Sequence, residues 1–290
     1  MKHILIVLWL LGLSVACTTP SPQVPMADYT GESTFDVDAT EFNHQNAVWL
    51  ARFADLAYLN EDEVESKLKK WGFEPDKHEF GDLDNFQFFE GEATDTQGYI
   101  IADEHVIVIA FRGSESERDW VRNLLAFQGD SPLGVGFVHH GFIGNLYEIL
   151  PDLESALIQL RSNNQHVWIA GHSLGGALAI LAASHLEPIG LQGIYTFGQP
   201  VVGDTVFSAR YDQLLKDRTY RFIEYGDPVP RLGVGIQVGN AKFFAENGFM
   251  SETDFRKDSL LENLLAITPG NHLIGQYLYY LLLNLYPGMY

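Results

Sequence analysis

Short apolar runs alternate along most of this chain with stretches whose apolar residues recur every three or four positions. Residues 105–111 read H-V-I-V-I-A-F, an apolar, largely β-branched run that marks a strand buried on both faces. Residues 166–170, 193–197 and 219–225 form strands of the same kind. Between them, residues 145–161, 174–186 and 204–216 carry the helical period. Nearer the start, Ala47, Val48, Ala51, Phe53, Ala54, Leu56 and Leu59 give residues 44–59 one apolar helical face. Residues 61–71 form a second, charged amphipathic helix, and 86–89 and 98–102 two further strands. Short apolar strands separated by helices predict an α/β fold, a mainly parallel central sheet with helices on both faces. The last apolar stretch, 273–285, is too short to span a bilayer and reads as a docked helix. No internal repeat or mid-chain linker interrupts residues 41–290, which read as one domain.

Composition narrows the class. The 290 residues are 46% hydrophobic and 19% charged, too apolar for a disordered chain. A formal charge of −20 repels polyanions and excludes a nucleic-acid partner. One cysteine rules out an intramolecular disulfide framework and a cysteine-based zinc site. That cysteine, Cys17, follows Lys2, His3, an uncharged apolar run over 4–16 and the small residues Ser14-Val15-Ala16. Residues 1–16 therefore read as a signal peptide. The junction resembles the lipobox of bacterial lipoproteins, which implies lipid on Cys17, membrane attachment through it and export, with Thr18 favouring the outer membrane. Residues 17–40, with Pro20, Pro22 and Pro25 among polar residues, suit an extended tether. The alternative is an ordinary cleaved signal in which Cys17 has no role.

Candidate chemistry begins at Gly171-His172-Ser173-Leu174-Gly175, which directly follows the strand over 166–170 and precedes a helix rich in small residues. A strand, a sharp turn and a helix give the G-x-S-x-G pattern its meaning as a nucleophile elbow. The turn forces Ser173 into strained backbone angles, and Gly171 and Gly175 let strand and helix approach closely. Ser173 is thereby lifted to the carboxyl edge of the sheet, above a helix N-terminus that favours developing negative charge.

A serine hydroxyl needs a base, and the base an acid to orient it. Downstream of Ser173 the histidines are His185 and His272. His185 lies three turns along the helix after the elbow and cannot fold back to the hydroxyl. His272, in a loop before the last apolar helix, can. Asp227 leaves the strand over 219–225 on the same edge, whereas its rival Asp204 reads as the cap of the helix that follows it. An oxyanion hole would use the backbone N–H of Leu174 and a donor from Ser114, in the loop after the strand over 105–111.

These residues resemble the fungal-type class 3 lipase family. The matching segments are Phe111-Arg112-Gly113-Ser114, Asp119-Trp120, Asn123-Leu124, Val138-His139-His140-Gly141-Phe142, Gly171 to Gly176, Thr196-Phe197-Gly198-Gln199-Pro200 with Val202-Gly203-Asp204, Asp227-Pro228-Val229-Pro230 and His272. The resemblance implies an α/β-hydrolase-like fold and hydrolysis of lipid esters at a lipid–water interface by Ser173, Asp227 and His272, with no cofactor. It also implies oxyanion donors at Ser114 and Leu174. His139 and His140 fall within a structural motif of the family, so no metal is expected. Trp120, Leu124 and Phe127 share one face of a helix at the position of the family's lid; an ordinary surface helix is the alternative. Asn271 and Gln237 stand where the family often has Asp and His, departures that bear on substrate preference. A phospholipase A, a short-chain carboxylesterase and a non-catalytic envelope lipoprotein remain as other readings.

Overall fold

The computed structural model describes residues 35–71, 85–114, 129–161, 165–233, 235–251 and 272–287. Cys17, Asn271 and the residues expected to form a lid, Trp120, Leu124 and Phe127, lie outside them. The chain opens with helices α1 (His44–Leu56) and α2 (Glu61–Lys70), then strands β1 (Phe86–Gly91), β2 (Thr96–Ala102) and β3 (Val106–Phe111). A small pair, β4 (Gly129–Asp130) and β5 (Phe137–Val138), precedes helix α3 (His140–Leu160). Next come β6 (His166–His172), α4 (Leu174–Leu186), β7 (Gly193–Phe197), α5 (Thr205–Leu215) and β8 (Thr219–Glu224). Strands β9 (Asn240–Phe244) and β10 (Met250–Ser251) and helix α6 (Ile274–Leu285) complete the described elements.

Eight strands form one sheet in the order β1-β2-β3-β6-β7-β8-β9-β10. The pairs from β3 through β9 are parallel, while β1–β2, β2–β3 and β9–β10 are antiparallel. Alternation along each strand divides the core into two layers. Ile107, Ile109, Phe111, Val167 and Ile169 pack with α3, α4 and α5 on one face. Val106, Val108, Ala110, Trp168, Ala170 and Phe222 pack with α1, α2 and α6 on the other. Helices on both faces explain why the central strands read as unbroken apolar runs.

Several boundaries differ from the sequence expectation. Helix α1 stops at Leu56 rather than 59, and the N–H groups of Tyr58 and Leu59 close a tighter turn onto Asp55 and Leu56. Helix α3 starts at His140 rather than 145, with the His139 ring accepting from the Phe142 N–H as its cap. Two glycines and an uncommon capping residue hid that start. Strands β9 and β10 were not anticipated, because β9 opens on the polar Asn240-Ala241-Lys242; the buried Lys242 ammonium lies over the Phe42 ring. At the other end, Phe35 meets Trp168 edge-on and the Asp36 N–H donates to Asn46. Residues 35–40, expected within the tether, therefore belong to the packed body. Among the described residues no helix is long and apolar enough to cross a membrane.

Candidate active site

Strand β6 ends at His172 and α4 begins at Leu174, leaving Ser173 alone in the turn with φ 58° and ψ −125°. A non-glycine residue persists there only when its surroundings over-determine the backbone. The Ser173 N–H donates to the Phe197 carbonyl at 2.9 Å, and the Ser173 carbonyl accepts from Gly176 and Ala177. A Cβ on Gly171 would strike the Gly175 carbonyl, and one on Gly175 the Phe111 carbonyl, so glycine is a steric requirement at both. The elbow thus pins its serine between β3, β7 and α4.

The three side chains named from the sequence stand in one hydrogen-bonded line. Ser173 Oγ lies 2.7 Å from His272 Nε2, and His272 Nδ1 lies 2.7 Å from Asp227 Oδ2. Asp227 is fully buried, and its Oδ1 accepts from the Val229 N–H at 2.8 Å. Its Oδ2 also accepts from the Tyr277 hydroxyl at 2.5 Å, which in turn accepts from the Glu224 N–H at 3.2 Å. A carboxylate at Nδ1 favours the proton there and turns the lone pair of Nε2 toward the serine hydroxyl. The arrangement can generate an alkoxide-like nucleophile at neutral pH.

The other sequence candidates fall in distinct places. Asp204 caps α5, its Oδ1 accepting from Val206 and Phe207, and His185 bonds Glu154. Leu174 opens α4, and helix geometry leaves its N–H without an intrahelical partner. Ser114 lies in the loop after β3, and a Cβ on its neighbour Gly113 would come within 3.0 Å of Ser173 Cβ. Gln237 donates to the Gln199 and Pro230 carbonyls at 3.0 and 2.9 Å, tying together the loops that follow β7 and β8 without touching the line of three. No group of three or more His, Cys, Asp or Glu suited to a metal occurs among the described residues.

Four neighbours were not identified from the sequence as site residues. Gly198 has φ +61°, and a Cβ there would lie 2.7 Å from His272 Cε1 and 2.9 Å from Asp227 Oδ2. Tyr58 and Tyr277 reach the site from the turn after α1 and from α6. Glu224, at the end of β8, is buried with one carboxyl oxygen lacking a partner. Burial, helped by the nearby Asp227, pushes its carboxyl up to about 9, so it keeps its proton at neutral pH. Burial and the Asp227 charge likewise hold the Tyr277 hydroxyl well above its ordinary value, securing it as a donor. The only signal available in sequence was Gly198 within Thr196-Phe197-Gly198-Gln199-Pro200.

A serine at a strained elbow, joined through histidine to a buried carboxylate at the carboxyl edge of a mainly parallel sheet, defines an α/β-hydrolase-like fold and site. Residues 108–235 match the model of the Lipase (class 3) family. A secreted mono- and diacylglycerol lipase A of Penicillium cyclopium is 31% identical over 211 residues, 69% of this chain and 66% of that protein. A secreted mono- and diacylglycerol lipase 1 of Fusarium solani is 34% identical over 148 residues, 49% of this chain and 44% of that one. The chain thus spans less than two thirds of the length of these relatives. The crystal structure of a lipase from Rhizopus microsporus var. chinensis superposes with a TM-score of 0.54 at 23% identity, covering 73% of this chain and 80% of that one. The chain belongs to the class 3 lipase family.

Proposed function

We propose that this protein is a carboxylic ester hydrolase acting on lipid esters, of the triacylglycerol lipase kind. Ser173 attacks the ester carbonyl while His272 takes its proton. Asp227 orients the imidazole and stabilises its cation. The tetrahedral oxyanion is held by the Leu174 N–H and by Ser114. His272 then returns the proton to the departing alcohol, and water resolves the acyl-enzyme by the same steps. The observation that carries this reading is the unbroken contact from Ser173 Oγ through His272 to Asp227, at 2.7 Å for each link. Mono- and diacylglycerol hydrolysis, named for two relatives, supports the substrate class.

Ser173→Ala should lower kcat on p-nitrophenyl esters and emulsified acylglycerols by about 10⁴-fold or more, and Asp227→Asn by a similar order. A fluorophosphonate should label the parent protein and not the Ser173→Ala variant. Undiminished turnover in either variant would refute the assignment, and a folded parent protein that resists labelling would support a binding lipoprotein instead.

The same reading makes the packed body from residue 35 onward the hydrolase domain and the segment bearing Trp120, Leu124 and Phe127 its lid. Residues 1–16 are an export signal, and Cys17 carries the lipid that holds the protein at the outer membrane. Expressed with its signal in a bacterial host, Cys17→Ser should move the protein from the membrane pellet to the soluble periplasmic fraction. Unchanged partitioning between those fractions would remove the anchor from the proposal.

A further inference from the structure

His172 occupies the variable position inside the elbow and takes no part in the hydrogen-bonded line, yet its ring is packed against the base. The centroids of His172 and His272 are 4.7 Å apart with planes tilted by 32°. Tyr58 and Tyr277 flank the same ring at 5.8 and 6.1 Å. His172 Nδ1 lies 2.6 Å from the Tyr58 hydroxyl, and the ring also faces the His272 backbone. Tyr58 arrives there because α1 ends early and because Gly113 carries no Cβ, which would collide with the tyrosine hydroxyl. No carboxylate bonds the ring, and burial, with the neighbouring His272, keeps it neutral.

The base has a mechanical need that its own hydrogen bonds do not meet. Contacts at Nδ1 and Nε2 fix the line between those atoms but leave the imidazole free to roll about it. A ring packed against its face opposes that roll, and a neutral ring does so without adding charge beside the imidazolium. We propose that His172, held by Tyr58, is a positioning residue that keeps His272 Nε2 aimed at the Ser173 hydroxyl. This rests on the ester-hydrolase reading of Ser173.

The test uses the full chain, a soluble p-nitrophenyl ester and the variants His172→Phe, Tyr58→Phe and their combination. For His172→Phe, kcat should fall about 10- to 100-fold, as small misplacements of reacting groups do, with KM changed less than about twofold. The rate of fluorophosphonate labelling should fall in step. Tyr58→Phe should lower kcat about 3- to 10-fold, and the double variant should be no slower than His172→Phe, because the tyrosine acts through the histidine. A His172→Phe kcat within twofold of the parent overturns the proposal, and so does a double variant whose loss is the product of the single losses. If His172→Phe does not fold, as judged by thermal unfolding, Tyr58→Phe decides, and an unchanged kcat overturns the proposal. A parent protein inert to both ester and fluorophosphonate would overturn the hydrolase reading and this proposal together, whereas an active parent with an unaffected His172→Phe overturns this proposal alone.

Discussion

Gly198 carries no reactive atom, yet both the acid and the base of the site rest against the place where its side chain would be. Its φ of +61° costs an L-residue about 1–2 kcal/mol, before any contact is counted. A methyl group would then press on His272 Cε1 and Asp227 Oδ2 at 2.7 and 2.9 Å. Gly198→Ala should therefore lower kcat at least about tenfold while the protein still unfolds cooperatively. Turnover equal to the parent would show that the base has slack on that side. At this scale the three side chains that meet in the site were legible in the sequence for a physical reason. An elbow needs strand, turn and helix in immediate succession, and only two histidines follow Ser173. Tyr58 was not legible, because nothing near it in the chain announces a contact with a residue 114 positions away.

Among the elements, the buried strands β3, β6, β7 and β8 and helix α4 follow closely from unbroken apolar runs and small residues. What periodicity could not supply was direction and ending. The expected mainly parallel sheet is flanked by antiparallel β1, β2 and β10, and α1 gives up its last turn to bring Tyr58 to the elbow. Strand β8 also ends on a feature no pattern discloses, the buried Glu224 between Asp227 and the tyrosines of α6. Its carboxyl ordinarily titrates at 4.5 but is pushed up to about 9 in the folded chain. The native state therefore binds that proton more tightly than the unfolded state. The resulting stability is complete below about pH 4.5 and is lost as pH rises through about 9. Glu224→Gln, which stays neutral throughout, should unfold at about the parent temperature near pH 4.5 and gain about 3 °C or more by pH 8. A gap between the two melting curves that stays constant with pH would show that Glu224 is ionised in the native protein.

For the molecule as a whole, a formal charge of −20 opposes the lipid surface on which the proposed chemistry takes place. At about 0.01 M salt the screening length is about 30 Å, and at 0.15 M about 8 Å. Hydrolysis on vesicles rich in anionic lipid should thus rise several-fold over that range, while rates on zwitterionic vesicles stay nearly level. A rate on anionic vesicles that falls with salt would point to a basic docking patch. The overall acidity was plain from composition alone.

Ser173 and His272 are 99 positions apart, and the base enters just ahead of α6. That helix packs on the first described helix, where the His44 ring of α1 meets the Leu281 carbonyl at 3.0 Å. A chain synthesised only as far as Asp227 would hold the serine and its carboxylate without the imidazole that stands between them. On the proposed chemistry the chain is consequently latent until its last described helix has docked on its first.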